Sequence, residues 1–144
     1  MGGRGASSGF SASGKPYGSE YKTLLQSGNI KFVAVNEGAP TAPLETMTRG
    51  RVYVTVNEKE NTLKSISFYD RQNKRFRQID MDHYHKIDGK PVKPHVQAGY
   101  LHNGEASKPT DKDSKLIDKV LKLWYKKESR SWFRRTTPHL RKPR

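Results

Sequence analysis

Three short runs of alternating apolar and polar residues, set apart by polar turns, constrain this chain more than any other feature. In Arg51-Val-Tyr-Val-Thr-Val-Asn57 the valines at 52, 54 and 56 recur at period two, which an extended backbone turns into one apolar face. Leu63-Lys-Ser-Ile-Ser-Phe-Tyr69 repeats the pattern through Ile66 and Phe68, after a polar stretch of hairpin length at 57–61. A second polar turn, 70–74, leads into Arg75-Phe-Arg-Gln-Ile-Asp-Met81. Ile30-Lys-Phe-Val-Ala-Val35 is another β-prone run, broken by Gly38, Pro40 and Pro43 and followed by a loop to Gly50. These signals predict a twisted antiparallel meander, joined by a further strand around Val96–Leu101.

The last patterned segment has the period of a helix. Thr110-Asp-Lys-Asp113 has the form of a capping box, with Pro109 just before it. Leu116, Ile117, Val120, Leu121 and Trp124 then recur at spacings of three and four, with lysines 119, 122 and 126 on the flanks. The class is therefore α+β: a sheet of about four strands with a C-terminal amphipathic helix. Residues 1–20, rich in Gly and Ser, read as a flexible leader, 21–126 as a single domain and 127–144 as a basic tail. In that tail Trp132 and Phe133 are interleaved with Arg130, Arg134 and Arg135, a pattern that suits stacking on bases with phosphate pairing, a disordered solubilising tail, or docking on an acidic partner such as a capsid or immunity protein.

Composition narrows the chemistry. The chain has no cysteine, which excludes disulfides, thiolate metal sites and a cysteine nucleophile. No run approaches the roughly 18 apolar residues of a membrane span, and the N-terminus lacks the apolar core of a secretory signal. The formal charge of +14 over 144 residues attracts polyanions, nucleic acid first, with an acidic membrane or an acidic inhibitor protein behind it.

Four of the five histidines, His83, His85, His95 and His102, fall within twenty residues. If 75–85 stays extended, His83 and His85 share a face with Arg75 and Arg77, while Asp80, Asp82 and Tyr84 face the other way. Cleavage of RNA needs a base for the 2′-hydroxyl proton, an acid for the leaving 5′-oxygen and cations for the phosphate. Imidazoles suit the first two tasks and Arg or Lys the third. Lys86, Lys90 and Lys93 flank the loop between the two histidine segments, where they could clamp phosphates. Asp82, His83, His85 and His95 are also legitimate zinc or manganese ligands. Two histidines at i and i+2 with no third ligand at a defined spacing make a weak metal pattern, so no metal or other cofactor is expected.

Gly28-Asn-Ile-Lys-Phe32, Arg51-Val-Tyr-Val-Thr-Val-Asn57, Ile79-Asp-Met-Asp-His-Tyr-His85, Lys93-Pro-His-Val-Gln-Ala-Gly-Tyr-Leu-His102 and Leu123-Trp-Tyr125 together resemble the bacterial polymorphic toxin type 50 domain. The resemblance spans about residues 21 to 125. It implies a barnase/EndoU/RelE-like sheet of about four antiparallel strands and a ribonuclease site carried on that sheet. It also implies a place among toxin modules and temperate-phage head proteins, hence a bacterial host cytoplasm or a virion. An immunity protein or a phage head protein would then be a partner. Gln97 stands where the family pattern often carries a further histidine.

The reading that follows is a metal-independent endoribonuclease acting on RNA, with His83, His85 and His95 as catalytic groups and Asp82, Tyr100 and His102 in support. Arg75, Arg77, Lys86, Lys93, Arg134 and Arg135 would bind phosphate. Its alternatives are a non-catalytic nucleic-acid-binding or phage structural module, and a metal-dependent nuclease.

Overall fold

A computed structural model describes residues 20–100 and 104–136, with side chains up to 130. Its elements are β1 (Tyr21–Ser27), β2 (Ile30–Val35), β3 (Val52–Asn57), β4 (Thr62–Tyr69), β5 (Arg75–Asp80), β6 (His85–Ile87), β7 (Lys90–Val92), β8 (His95–Ala98), β9 (Ala106–Ser107) and α1 (Asp111–Thr136). The protein is α+β, and its main sheet has seven strands in the order β1-β2-β3-β4-β5-β8-β9. The expected four-strand sheet is thus too small. β1 and β9 extend it at the two edges, and β6 and β7 form a separate hairpin.

All neighbours in the main sheet run antiparallel except β2 and β3, which are parallel. A parallel pair needs a crossover, and here residues 36–51 make it without a helix or a named strand. Tyrosine hydroxyls tie this loop down. Tyr21 donates to the Thr41 carbonyl at 2.6 Å and Tyr69 to the Pro43 carbonyl at 2.5 Å, while the Tyr53 hydroxyl lies 3.0 Å from Thr46 Oγ1. The rings of Tyr21 and Tyr53 pack with Val33, Val35 and Tyr69, and Tyr53 meets Tyr69 edge-on. Burial raises the pKa of both Tyr21 and Tyr69, which keeps them as neutral donors.

Register divides the sheet into two chemically different faces. On one, Phe32, Val54, Ile66, Ile79 and Val96 are successive cross-strand partners from β2 to β8, and all five are buried. Side chains of this kind contribute about 1.5–3 kcal/mol each on burial. This row explains the valine and isoleucine alternation of the sequence. On the other face the corresponding row is Val33, Thr55, Ser65, Asp80 and His95, again all buried. Beside it runs Tyr53, Ser67, Gln78 and Gln97. The sheet therefore carries an apolar face and a polar one, and the histidine chemistry lies on the polar one.

The chain divides into a sheet unit up to Pro109 and a helical unit from Thr110. The capping box forms reciprocally: Thr110 N donates to Asp113 Oδ2 at 2.9 Å, and Asp113 N donates to Thr110 Oγ1 at 3.1 Å. Ile117, Val120 and Trp124 are the buried apolar stripe, whereas Leu121, counted in that stripe from its spacing, is 45% exposed. The helix runs on to Thr136, through residues that read as the start of a tail. No described helix is long and apolar enough to cross a membrane. Thr110→Ala removes one partner of the box and is expected to cost about 1 kcal/mol, read as an earlier loss of helical circular dichroism on heating.

Candidate functional site

The site grows from one cross-strand pair. Asp80 ends β5, His95 opens β8, and antiparallel register sets them opposite each other. The Asp80 Oδ2 and His95 Nε2 atoms are 3.2 Å apart, and both side chains are essentially inaccessible. A buried carboxylate needs donors to hold its charge, and the neighbouring row supplies one. Gln78 Nε2 donates to Asp80 Oδ1 at 2.8 Å. Its own Oε1 accepts from Ser67 Oγ at 2.7 Å and from Arg75 Nη1 at 2.9 Å. Arg75 can only donate, so it sets which way the Gln78 amide faces and turns the amide nitrogen toward Asp80. The second arm of Arg75 donates to the Tyr100 carbonyl at 2.7 Å.

Beyond Asp80 the backbone leaves the main sheet, and this break gathers the histidines. Met81–Tyr84 form no strand, and the chain turns so that His83 and His85 both reach His95. The ring centres of His83 and His95 are 4.9 Å apart in an edge contact, and those of His85 and His95 are 5.0 Å apart and tilted. His85 is exposed, and the His83 side chain is 52% exposed. Asp82 Oδ1 lies 3.0 Å from His83 Nδ1, and Asp82 Oδ2 lies 3.7 Å from Lys64 Nζ. In the neutral imidazole this contact favours a proton on Nδ1 and leaves Nε2 as the open acceptor. Burial lowers the His95 pKa. Asp80 opposes that shift, the charges of His83 and His85 add to it, and the His83 backbone opposes it.

His85 begins the β6–β7 hairpin, whose two turn residues, Asp88 and Gly89, have φ of 53° and 78°. Positive φ at both positions is the type I′ geometry that suits the twist of a two-residue hairpin. Lys86 lies exposed on this hairpin. Lys93, just after it, holds its ammonium 4.8 Å from the centre of the exposed Tyr84 ring.

Several expected placements change. Asp80 does not face away from the histidines but lies against His95, its cross-strand partner, and because β5 ends at Asp80 the chain can bring His83 and His85 to the same ring. Arg75 and Arg77 do not share a face. Tyr69 pairs with Arg75 and Phe68 with Arg77, so Phe76 bulges out and Arg75 swings to the Gln78 and Asp80 side. There Arg75 is buried and engaged by Gln78 and Tyr100 rather than open to phosphate, while Arg77 lies over the Phe68 ring. The Tyr100 hydroxyl donates to Glu45 Oε2 at 2.9 Å, the same oxygen that Lys74 Nζ reaches at 2.9 Å. Burial, then Glu45, raises the Tyr100 pKa. Gln97 is the cross-strand partner of Gln78, and its amide donates to the Gly104 carbonyl at 3.1 Å. His102 and the side chains of Arg134 and Arg135 lie outside the described residues.

Asp80 and Gln78 are the site residues that sequence patterning missed, and only strand register could have disclosed them. No protein-family model, curated relative or solved structure matches the chain. The chemistry is therefore read from the geometry: two accessible imidazoles rest on a third, which is buried and braced by a carboxylate. Asp80, His83 and His95 also form a group that could hold a metal ion, their ligand atoms all within 4.8 Å of one another.

Proposed function

We propose that the protein is an endoribonuclease of the polymorphic toxin type 50 kind, with a barnase/EndoU/RelE-like ancestry, that cuts RNA without a metal ion. The observation that carries this reading is the contact of accessible His83 and accessible His85 with buried His95. One of the accessible imidazoles takes the 2′-hydroxyl proton as that oxygen attacks the adjacent phosphorus. The other gives a proton to the departing 5′-oxygen, leaving a 2′,3′-cyclic phosphate and a 5′-hydroxyl. His95 is a positioning residue, since its nitrogens are closed to solvent. Lys86 and Lys93, which directly flank the histidines in sequence, and Arg77 on β5 are assigned to the phosphate oxygens. The net charge of +14 serves capture of the polyanion. An acidic immunity protein or a phage head protein would be the natural partner of such a domain in a bacterial cell or virion.

The test is incubation with labelled single-stranded RNA and matched DNA in EDTA. The expected result is RNA cut to cyclic-phosphate ends with the DNA intact. Binding of RNA with no cutting, in EDTA or with Mn²⁺ or Zn²⁺ supplied, would favour the non-catalytic module and point to Gln97. Cutting that appears only with added metal would favour the metal-dependent nuclease.

A further inference from the structure

We infer that Asp80, His83 and His95 form a binding site for a zinc-class divalent ion, placed on the imidazole cluster itself. The distances already approach those of a coordination shell. Zinc bonds of about 2.0–2.1 Å in tetrahedral geometry set neighbouring ligand atoms about 3.3 Å apart. The Asp80 Oδ2 to His95 Nε2 separation is 3.2 Å. This close approach is not aligned as a hydrogen bond: although Asp80 and the His83 backbone lie against the completely buried ring, neither ring nitrogen of His95 has a well-aligned partner among the described residues. A buried imidazole left in that state is unusual and calls for a ligand. The third ligand, His83, brings a nitrogen within 4.8 Å of the other two. Its side chain is half exposed and lies outside the strands, where it can turn toward the ion in exchange for its contact with Asp82.

The surroundings fit the same ion. Gln78 Nε2 holds Asp80 Oδ1 at 2.8 Å, which orients the carboxylate so that Oδ2 faces His95. Hydrogen bonding of this kind fixes ligand direction in metal sites. Two imidazoles and one carboxylate suit zinc better than magnesium, which prefers oxygen ligands and retains its water. Three protein ligands leave a fourth position for water or an anion. An ion here would occupy His83, one of the two imidazoles assigned to proton transfer, and so would silence the cleavage. That consequence rests on the ribonuclease reading, whereas the binding itself does not.

Calorimetric titration of the full chain with Zn²⁺ in a non-chelating buffer at pH 7.5 separates the two. One ion per chain is expected, with Mg²⁺ giving no binding. His83→Ala, which alters an exposed side chain, should fold normally and weaken Zn²⁺ binding by at least about tenfold. Asp80→Asn should weaken it as well, and His85→Ala should leave it intact. Absence of stoichiometric Zn²⁺ uptake, or uptake unchanged in His83→Ala, overturns the inference. Loss of uptake in His85→Ala overturns the assigned ligand set. None of these outcomes depends on whether RNA is cut, which the assay in EDTA decides separately.

Discussion

Alanine at His83 or at His85 is expected to lower RNA cleavage by at least about 10²-fold while leaving RNA binding and the unfolding temperature nearly unchanged. Both side chains are exposed, so neither substitution opens a cavity, and substitutions at such positions usually cost less than about 0.5 kcal/mol. Binding is governed by the chain's many cations, to which two imidazoles add little. Cleavage is different, because a base without its acid leaves the 5′-oxygen to depart unprotonated, and an acid without its base leaves the 2′-hydroxyl inactive. The two groups act in one transition state, so the double variant should be scarcely slower than either single one. Full activity in both single variants would remove the histidines from the mechanism, whatever the charge of the protein attracts. His95→Ala should behave otherwise. It empties a buried position beside Asp80, so its loss of activity should come with a loss of stability.

The difference between those variants was half visible in the sequence. The density of histidines between 83 and 102 is a sequence property, and three of them do meet at one place. Their division into one buried and two accessible groups is not, because it depends on where β5 ends. Period-two alternation predicts one strand over 75–85 and assigns its faces accordingly. A single extra residue reverses every later assignment in such an argument, and here two irregularities intervene: the bulge at Phe76 and the departure of the chain after Asp80.

The same physics explains what was legible in the fold. Val54, Ile66 and Ile79 lie on consecutive antiparallel strands joined by short turns, so their alternation and their pairing are both local. The capping box of α1 is local too, closed between residues three apart. β1 was not legible. Its register shifts between Thr23 and Leu25, which breaks the alternation, and as an edge strand it leaves most of its side chains at least partly exposed. The parallel pairing of β2 with β3 was hidden for another reason. It depends on a sixteen-residue loop, 36–51, held through tyrosines at 21, 53 and 69 that no short-range pattern connects.

Asp80→Ala is expected to destabilise the protein by about 3–5 kcal/mol, the largest stability effect of any single change at the site. The carboxylate is the acceptor at the end of a buried chain of donors. Removing it leaves Gln78 Nε2 with no acceptor, and Gln78 cannot turn around because Ser67 and Arg75 both donate to its oxygen. It also withdraws a negative charge from Arg75. Burial already lowers the pKa of that guanidinium, and Tyr69 and then Asp80 act against the shift. Asp80→Asn keeps the shape and an oxygen for Gln78, so it should cost much less than the alanine variant. Urea unfolding measures both, provided the denaturant slope stays constant between variants. Arg75→Met tests whether the chain acts as a unit. Combined with Asp80→Ala, it should cost less than the sum of the two single variants by more than about 0.5 kcal/mol. The reason is that the second removal no longer strands a buried charge. Additive costs, or an Asp80→Ala penalty no larger than that of an exposed residue, would mean that His95 is held by packing alone. The carboxylate would then lose its place as the brace beneath the two accessible histidines.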